Sequence, residues 1–276
     1  MRAFVVSGEA SDEEAIVTRL WESGTAGLEE RPCGPDGISF ISYFDDGNAV
    51  AVASLFADMP GVTIEPTDIP DVDWMARFRE NFRAFDVGTF LIAPAWNRPE
   101  HPPAGRRLLV VDPGRAFGTG THESTALCLA ALESVAATRA LGRTLDVGTG
   151  SGILAVAAFA LGATAAIASD IDPESLDSAR THARLNDSAL LLVHGDGGRP
   201  FRRGTFDTVL ANITAPLLIE RAAELLALPR AGGRLILAGL LQSDRESVAA
   251  AYERAGAGAA ASASRREWAS LVVEKK

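Results

Sequence analysis

The chain has 276 residues, and its content of 47% hydrophobic and 22% charged residues is typical of a folded globular protein. Two domains are expected, because a single hydrophobic core stops growing efficiently beyond ~250 residues. The formal charge of -10 argues against a surface that neutralises many phosphates, so we expect no direct binding of nucleic acid.

Neither the membrane nor a metal is expected to be a partner. No apolar run approaches the ~18 residues that a membrane span needs, and the acidic start of the chain is unlike a signal peptide. The two cysteines lack the spacing of a disulfide framework or a zinc site. A cytoplasmic location without a metal centre is therefore predicted.

Residues 1–70 predict a small α+β domain of ferredoxin-like topology. Strand-like and helix-like segments follow one another in the order β-α-β-β-α-β. The two helical segments are "SDEEAIVTRLWESG" and "NAVAVASLFADMPG". This topology carries no chemistry by itself, so we expect the domain to recognise a partner.

Residues 71–106 predict a linker region with a stripe of aromatic side chains. Trp74, Phe78, Phe82 and Phe85 recur every three or four residues, which places them on one face of a helix. The pattern favours packing against a core, and a platform for a substrate is the alternative.

Residues 107–276 predict a Rossmann-like α/β domain with a mostly parallel sheet of seven strands. Strand-like and helix-like patterns alternate here, as in doubly wound folds. The predicted strands are "LLVVD", "TLDVG", "AAIASDID", "ALLLVHGD", "DTVLANI", "GRLILAG" and "WASLVVEK". The segment "RAGAGAAASASRR" before the last strand has low complexity and predicts a weakly ordered connection.

The segment "LDVGTGSGIL" predicts a cofactor loop between a strand and a helix. A dinucleotide-binding loop needs a third glycine at the position of Ile153, so a pyrophosphate ligand is disfavoured. The spacing of Gly148, Gly150 and Gly152 after Asp146 resembles the first motif of class I methyltransferases that use S-adenosylmethionine. The resemblance implies that the loop backbone approaches this cofactor.

Acidic side chains after the next two strands predict further cofactor contacts. Asp170 stands at the distance from the loop where a carboxylate accepts hydrogen bonds from ribose hydroxyls. Asp172 precedes Pro173 and is predicted to cap a helix. Asp196 closes the following strand and is predicted either to contact the adenine amino group or to be a turn residue.

Asn212 is the predicted catalytic residue. It lies in "LANITAPLL", at the carboxyl end of a predicted strand. Its amide oxygen can accept a hydrogen bond from a substrate amine and orient the nitrogen lone pair toward a methyl group. A turn residue is the alternative interpretation of this asparagine.

The stretch "DPGRAFGTGTHEST" identifies a specific family. Together with the motifs above, it resembles PrmA, the bacterial methyltransferases of ribosomal protein L-eleven (L11), and the resemblance covers essentially the whole chain. The matching residues are Asp112, Pro113, Gly114, Ala116, Phe117, Gly118, Thr119, Gly120, Thr121, His122 and Thr125. The resemblance implies that the protein transfers methyl groups from S-adenosylmethionine to lysine side chains of L-eleven. The N-terminal α-amine of L-eleven is implied as a further acceptor.

The resemblance also implies which residues form the site. The implied cofactor contacts are Thr125, Gly148, Asp170 and Asn212. We expect the segment with Phe117, Gly118, Thr119 and Gly120 to fold over the cofactor, opposite Gly150 and the other loop glycines. For His122 two roles stay open, orienting or deprotonating the amine and capping the following helix.

Two alternatives to this function are kept. One is a related protein-lysine methyltransferase with another protein target. The other is a non-catalytic interaction protein that retains a methyltransferase fold. The sequence "NITA" differs from the "NPPY" expected of glutamine-modifying and many nucleic-acid-modifying methyltransferases, which disfavours those classes.

Overall fold

A computed structural model describes residues 2–31, 33, 37–44, 52–68, 82–112 and 122–276. The chain divides into two compact units, Met1–Arg77 and Phe78–Lys276. In the part of the chain described, no helix has the length and apolar character to cross a membrane.

The first unit is built around an antiparallel sheet of four strands. Its elements are β1 (Arg2–Glu9), α1 (Glu13–Glu22), β2 (Gly27–Glu30), β3 (Gly37–Phe44) and β4 (Thr63–Thr67). The strand order is β2-β3-β1-β4, and α1 buries Ile16 and Leu20 completely against Val6 and Phe44. The apolar stripe of the helix therefore covers one face of the sheet.

Only part of the second helix predicted for this unit lies among the described residues. Residues 45–51, where it was expected to begin, lie outside the described residues. Its described part holds a short 3-10 helix, Val52–Ser54, followed by turns, in place of an α-helix. Pro60 and Gly61 end this segment, as residues that disfavour a helix do.

The second unit begins with a sheet of three strands. These are β5 (Phe85–Val87), β6 (Phe90–Pro94) and β7 (Arg107–Val111), and β7 runs parallel to β6. The segment "LLVVD" therefore belongs to this sheet, whereas it was predicted as a strand of the larger one. The apolar pattern of this segment indicates that the strand is buried, but it does not determine which strand is its neighbour.

Of the four predicted aromatic residues, Phe82 and Phe85 are among the described residues, and they pack against other aromatic rings. The ring of Phe82 contacts those of Phe85 and Trp96, each at 6.1 Å between centroids in an edge-to-face arrangement. Phe82 is buried within a hydrophobic core, so its role is packing. Trp74 and Phe78 lie outside the described residues.

The main sheet of the second unit has seven strands and is mostly parallel, as predicted. Its strands are β8 (Arg143–Val147), β9 (Ala165–Asp170), β10 (Leu190–His194), β11 (Phe206–Asn212), β12 (Pro229–Leu241), β13 (Ala257–Arg265) and β14 (Trp268–Lys275). The order is β10-β9-β8-β11-β12-β14-β13. The pairs that β14 forms with β12 and β13 are antiparallel, and the other pairs are parallel.

The helices cover both faces of this sheet. They are α2 (Glu123–Thr138), α3 (Ile153–Ala160), α4 (Pro173–Leu185), α5 (Ala215–Glu220), α6 (Ala222–Leu226) and α7 (Arg245–Arg254). Along β11, Val209 and Ala211 face one hydrophobic core and Leu210 faces the other. A strand buried on both faces is apolar throughout, which is the pattern that predicts a parallel sheet.

Strand β13 corrects the prediction of a weakly ordered connection. The alanine- and serine-rich segment is an edge strand, and it pairs with β14 from Ala257↔Lys275 to Arg265↔Trp268. Strand β13 is held in the sheet by its backbone hydrogen bonds to β14. Strand β14 is itself fixed in the core, where Leu271 and Val273 are buried. Small side chains do not prevent that pairing, so composition alone gave the wrong expectation.

Candidate active site

The loop between β8 and α3 has a backbone that requires its glycines. Gly148, Gly150 and Gly152 have φ angles of 68°, 53° and 80°, in the left-handed region. A Cβ atom on Gly148 would lie 2.7 Å from Cγ2 of Ile213, and one on Gly152 would lie 2.8 Å from Cβ of Ala179. Residues with a side chain at these positions would strain the left-handed backbone and, at Gly148 and Gly152, collide with neighbouring side chains.

Hydrogen bonds join this loop to the end of β9. The amides of Gly148 and Thr149 donate to the carbonyl of Ser169 at 2.9 and 3.0 Å. The amide of Gly150 donates to Oδ2 of Asp170 at 2.9 Å, and the amide of Asp172 donates to Oδ1 at 3.0 Å. The structure therefore brings the predicted loop and the predicted ribose-binding carboxylate together.

Asp172 has the capping role that its position before Pro173 predicts. Its Oδ1 accepts a hydrogen bond from the amide of Glu174 at 3.0 Å, which makes it the N-cap of α4. Asp170 and Asp172 consequently make different contacts, although they are two residues apart. Asp170 faces the glycine loop and Asp172 starts the helix.

Asp146 is a buried carboxyl group beneath the glycine loop. Its side chain is 1% exposed, Oδ2 accepts from the hydroxyl of Thr149 at 2.5 Å, and Oδ1 has no partner. Burial raises the pKa of Asp146 to about 7, the charge of Asp170 adds to that rise, and the hydrogen bond from Thr149 opposes it. The nearby thiol of Cys128 also has a raised pKa through burial, so this cysteine is a neutral packing residue.

Asn212 lies at the end of β11 beside a cavity of about 310 Å³. Its Oδ1 atom is buried and has no hydrogen-bond partner. The cavity is lined by His122, Ser124, Asn212, Ile213, Thr214, Gly239 and Trp268. An amide oxygen at the edge of such a cavity is positioned to accept a hydrogen bond from a group that enters it.

His122 caps α2 and also lines the cavity. Its Nδ1 accepts from the amide of Ser124 at 3.3 Å and lies 2.7 Å from the Ser124 hydroxyl oxygen. Its ring stands edge-on to that of Trp268, with 4.5 Å between centroids. The capping contact is present in the structure, and a role toward a substrate amine stays a prediction.

Two buried hydroxyl oxygens among the described residues, one of them at the predicted cofactor contact Thr125, lack hydrogen-bond partners. Thr125 is fully buried and its hydroxyl has none, and the same holds for the hydroxyl of Ser169, one residue before Asp170. An unpaired buried polar atom costs about 1–3 kcal/mol. Acceptors of this kind fit a ligand that carries ammonium, hydroxyl and amino donors, as S-adenosylmethionine does.

Asp196 holds two arginines at the turn after β10. Its carboxylate pairs with Arg199 at 2.6 Å and with Arg221 at 2.5 Å. The hydrogen bond from Arg221 lowers the pKa of Asp196, so the group is ionised at neutral pH. The predicted contact between Asp196 and adenine stays a prediction, because the observed contacts involve arginines.

Part of the predicted site lies outside the described residues, and the cavity beside Asn212 has lining residues that were not predicted, among them Trp268. Phe117, Gly118, Thr119 and Gly120 lie outside the described residues. Trp268 was missed, because the sequence marks it only as the first residue of a strand. Pairing of β14 with β12 brings it to the cavity. Among the described residues no cluster of metal-binding side chains is found.

The buried state of Asp146 predicts how stability depends on pH. The carboxyl group has a pKa of about 7 in the fold and 3.8 as its ordinary value. Between these values the folded state holds a proton that the unfolded state lacks. Stability of the cofactor-free protein therefore falls as pH rises through this window, and is restored below it.

We predict that raising the pH from about 5 to about 7 lowers the free energy of unfolding through Asp146 by roughly 2–3 kcal/mol. Asp146→Asn removes the titrating group, so its stability should change less over the same range. Urea unfolding of both proteins at each pH measures the difference. Parallel pH dependences for the two proteins would contradict the prediction.

Comparisons with known proteins place these features in a family. A family model described as "Ribosomal protein L11 methyltransferase (PrmA)" matches residues 7–276. Relatives named "Ribosomal protein L11 methyltransferase" include one from Myxococcus xanthus, 35% identical over 275 residues, covering 95% of this chain and 94% of the relative. Another, from Geobacter sulfurreducens, is 41% identical over 240 residues, covering 87% and 77%.

A solved structure agrees with the sequence comparisons. The ribosomal protein L11 methylase from Lactobacillus delbrueckii subsp. bulgaricus superposes with a TM-score of 0.64 at 28% identity, covering 71% of this chain and 100% of that one. This confirms the predicted class I methyltransferase fold. With the family match over almost the whole chain, it confirms the resemblance that the motifs indicated: the chain belongs to the PrmA family of methyltransferases.

Proposed function

We propose that this protein transfers methyl groups from S-adenosylmethionine to lysine side chains of ribosomal protein L11, with the N-terminal α-amine as a further acceptor. Membership of the family and the names of the relatives support the reaction and the target. The observation that carries the proposal is geometric: the glycine loop and Asp170 are hydrogen-bonded at the edge of the sheet where Asn212 also ends its strand.

The residues of this edge account for cofactor binding. Backbone atoms of Gly148 and Gly150 would hold the methionine part, and Asp170 has lone pairs left for the ribose hydroxyls. Thr125 supplies a buried hydroxyl without a partner. When bound, S-adenosylmethionine would supply an activated methyl group on its sulfonium.

The other proposed cofactor contacts rest on sequence pattern. Phe117, Gly118, Thr119 and Gly120 are assigned from the family motif alone. Asp196 is proposed to accept from the adenine amino group while it retains its two arginines, because a carboxylate has about four acceptor sites.

Asn212 is proposed to bind and orient the substrate amine. The amine must lose its proton before it attacks, and free lysine has a pKa of about 10.4. Enclosure in the cavity beside Trp268 would lower that pKa, because desolvation disfavours the ammonium form. Oδ1 of Asn212 would then accept a hydrogen bond from the amine N–H and direct the nitrogen lone pair toward the methyl group. His122, which lines the same cavity, is proposed to orient the amine or to take up its proton.

Substrate recognition is proposed for the first unit. The predicted recognition domain, residues 1–70, lies within the compact unit Met1–Arg77, which contains none of the cofactor motifs and so suits binding to the ribosomal protein. The net charge of -10 favours a basic protein partner, because opposite charges attract. A cytoplasmic location is proposed. No direct contact with nucleic acid is proposed.

We predict that Asn212→Ala lowers the rate of methyl transfer by about 100-fold, because the amine loses its alignment. The loss of rate should exceed any loss of cofactor affinity, measured by calorimetry on the same protein. Asn97→Ala, the same change at an exposed asparagine, is the matched control and should leave both unchanged. Near-normal methylation by Asn212→Ala with the cofactor still bound would remove Asn212 from the catalytic role.

We predict that labelled S-adenosylmethionine, incubated with the protein and a mixture of dissociated ribosomal proteins, labels L11 on lysine side chains. Mass spectrometry of the labelled protein identifies the target and the modified residues. Labelling of a different protein would favour the alternative of another target, with fold and cofactor unaffected. An absence of both labelling and cofactor binding would instead favour an interaction protein.

A further inference from the structure

The cavity beside Asn212 has a polar end. Oδ1 of Asn212 is buried and accepts no hydrogen bond from the described residues. Strand β12 leaves space next to this oxygen, because Gly239 has a φ of 81° and no side chain. A Cβ atom on Gly239 would collide with the carbonyl oxygen of Ile213 and lie 3.1 Å from Oδ1 of Asn212. The bare backbone of Gly239 therefore keeps this acceptor open to a group that enters the cavity.

Further along β12 the cavity has an apolar border. Leu241, the last residue of β12, lies two residues after Gly239. It pairs with Trp268 of β14, and residues directly opposite in an antiparallel pair place their side chains on the same sheet face, about 5 Å apart. Trp268 lines the cavity, and Leu241 is 39% exposed. These two side chains form an apolar pair at the carboxyl end of the strand.

The indole ring of Trp268 is held at the cavity from two sides. The ring stands edge-on to that of His122, with 4.5 Å between centroids. The residue before it, Glu267, accepts a hydrogen bond through its carbonyl from the amide of Gln242 at 2.7 Å. These contacts come from the start of helix α2 and from the segment that follows β12. They fix the ring as part of the cavity wall.

The distance between the polar end and the apolar border fits the side chain of lysine. A strand advances by about 3.3 Å per residue, so Gly239 and Leu241 are about 6–7 Å apart along β12. With carbon–carbon bonds of ~1.5 Å, the amine of an extended lysine lies about 6 Å from its Cα atom. An amine bound at Asn212 would therefore place its methylene stem toward Leu241 and Trp268.

The chemistry of the apolar border also suits a lysine stem. Lysine carries its charge on a flexible four-carbon stem, and such stems pack along apolar surface while the nitrogen keeps polar contacts. The nitrogen of an α-amine is bonded directly to Cα, so an α-amine has no stem to place against Leu241 and Trp268. Contact with this pair would thus stabilise a bound lysine more than a bound α-amine.

We propose that Leu241 and Trp268 are specificity-determining residues that bind the methylene stem of the substrate lysine while Asn212 holds its nitrogen. The inference rests on the proposed function, because it takes methyl transfer to an amine at Asn212 as given. It adds that methylation of lysine side chains depends on this apolar pair, whereas methylation of an α-amine depends on it much less.

Competition between two kinds of amine on one substrate molecule tests the inference. L11 with a free N-terminal α-amine is incubated briefly with the protein and S-adenosylmethionine, and mass spectrometry gives the ratio of lysine to α-amine methylation. Both amines meet the same enzyme and the same cofactor. The ratio therefore does not depend on how much of a variant is folded or on its affinity for the cofactor, and a merely structural role leaves it unchanged.

We predict that Trp268→Ala lowers this ratio about tenfold and Leu241→Ala about threefold, because each variant loses apolar contact with the stem. Trp268→Phe keeps an aromatic ring and should restore most of the ratio. Leu191→Ala, at an exposed leucine of β10, is the matched control for Leu241→Ala. Strand β10 forms the opposite edge of the sheet, so this variant should keep the wild-type ratio.

Equal ratios for the wild type, Trp268→Ala and Leu241→Ala would overturn the inference and leave the proposed function intact. Absence of any methylation by the wild type would overturn the proposed function instead. If the wild type modifies lysine side chains alone, the lysine rate is compared with the cofactor affinity measured by calorimetry. Both variants should then lose rate at unchanged affinity, and an unchanged rate would overturn the inference.

Discussion

The hydrogen bond from the amide of Gly150 to the carboxylate of Asp170 is the contact on which the site depends. It joins the loop after β8 to the end of β9, and it forms only because the glycines of that loop adopt left-handed backbone angles. Asp170 in turn accepts from the amide of Asp172, which caps helix α4. The loop, the carboxylate of Asp170 and the start of helix α4 are thus held together by hydrogen bonds.

The buried polar groups of the candidate site lower the folding stability of the protein when no ligand is bound. Asp146 is buried with one oxygen unpaired, and the hydroxyl of Thr125 and the amide oxygen of Asn212 also lack partners. Each such group costs free energy that a hydrophobic residue of similar size would not. A ligand that donates hydrogen bonds to some of them would offset part of that cost. We therefore expect cofactor binding and folding stability to be closely linked.

Local patterns were sufficient to predict the turn of the glycine loop, the helix cap at Asp172 and the strand end at Asn212. Glycine spacing identified the loop, the Asp-Pro pair identified the helix cap, and the position of Asn212 at a strand end placed it at the same sheet edge. The pairing of strands that are distant in the chain could not be predicted from the sequence. Strand β13 has a composition that argues against order, yet the apolar strand β14 holds it. Trp268 gains its contact with His122 only through pairing and packing between distant segments, which local spacing in the sequence does not predict.

The central claim is that the glycine loop and Asp170 together form the site for S-adenosylmethionine. Calorimetric titration of the wild type and of Asp170→Ala with this compound tests it most directly. Asp177→Ala, which removes an exposed carboxylate from helix α4, is the matched control. The account predicts binding to the wild type and the control, and binding at least about tenfold weaker to Asp170→Ala, since the variant loses both the ribose contacts and the loop anchor. Equal affinity of all three proteins, or no binding to the wild type, would contradict it.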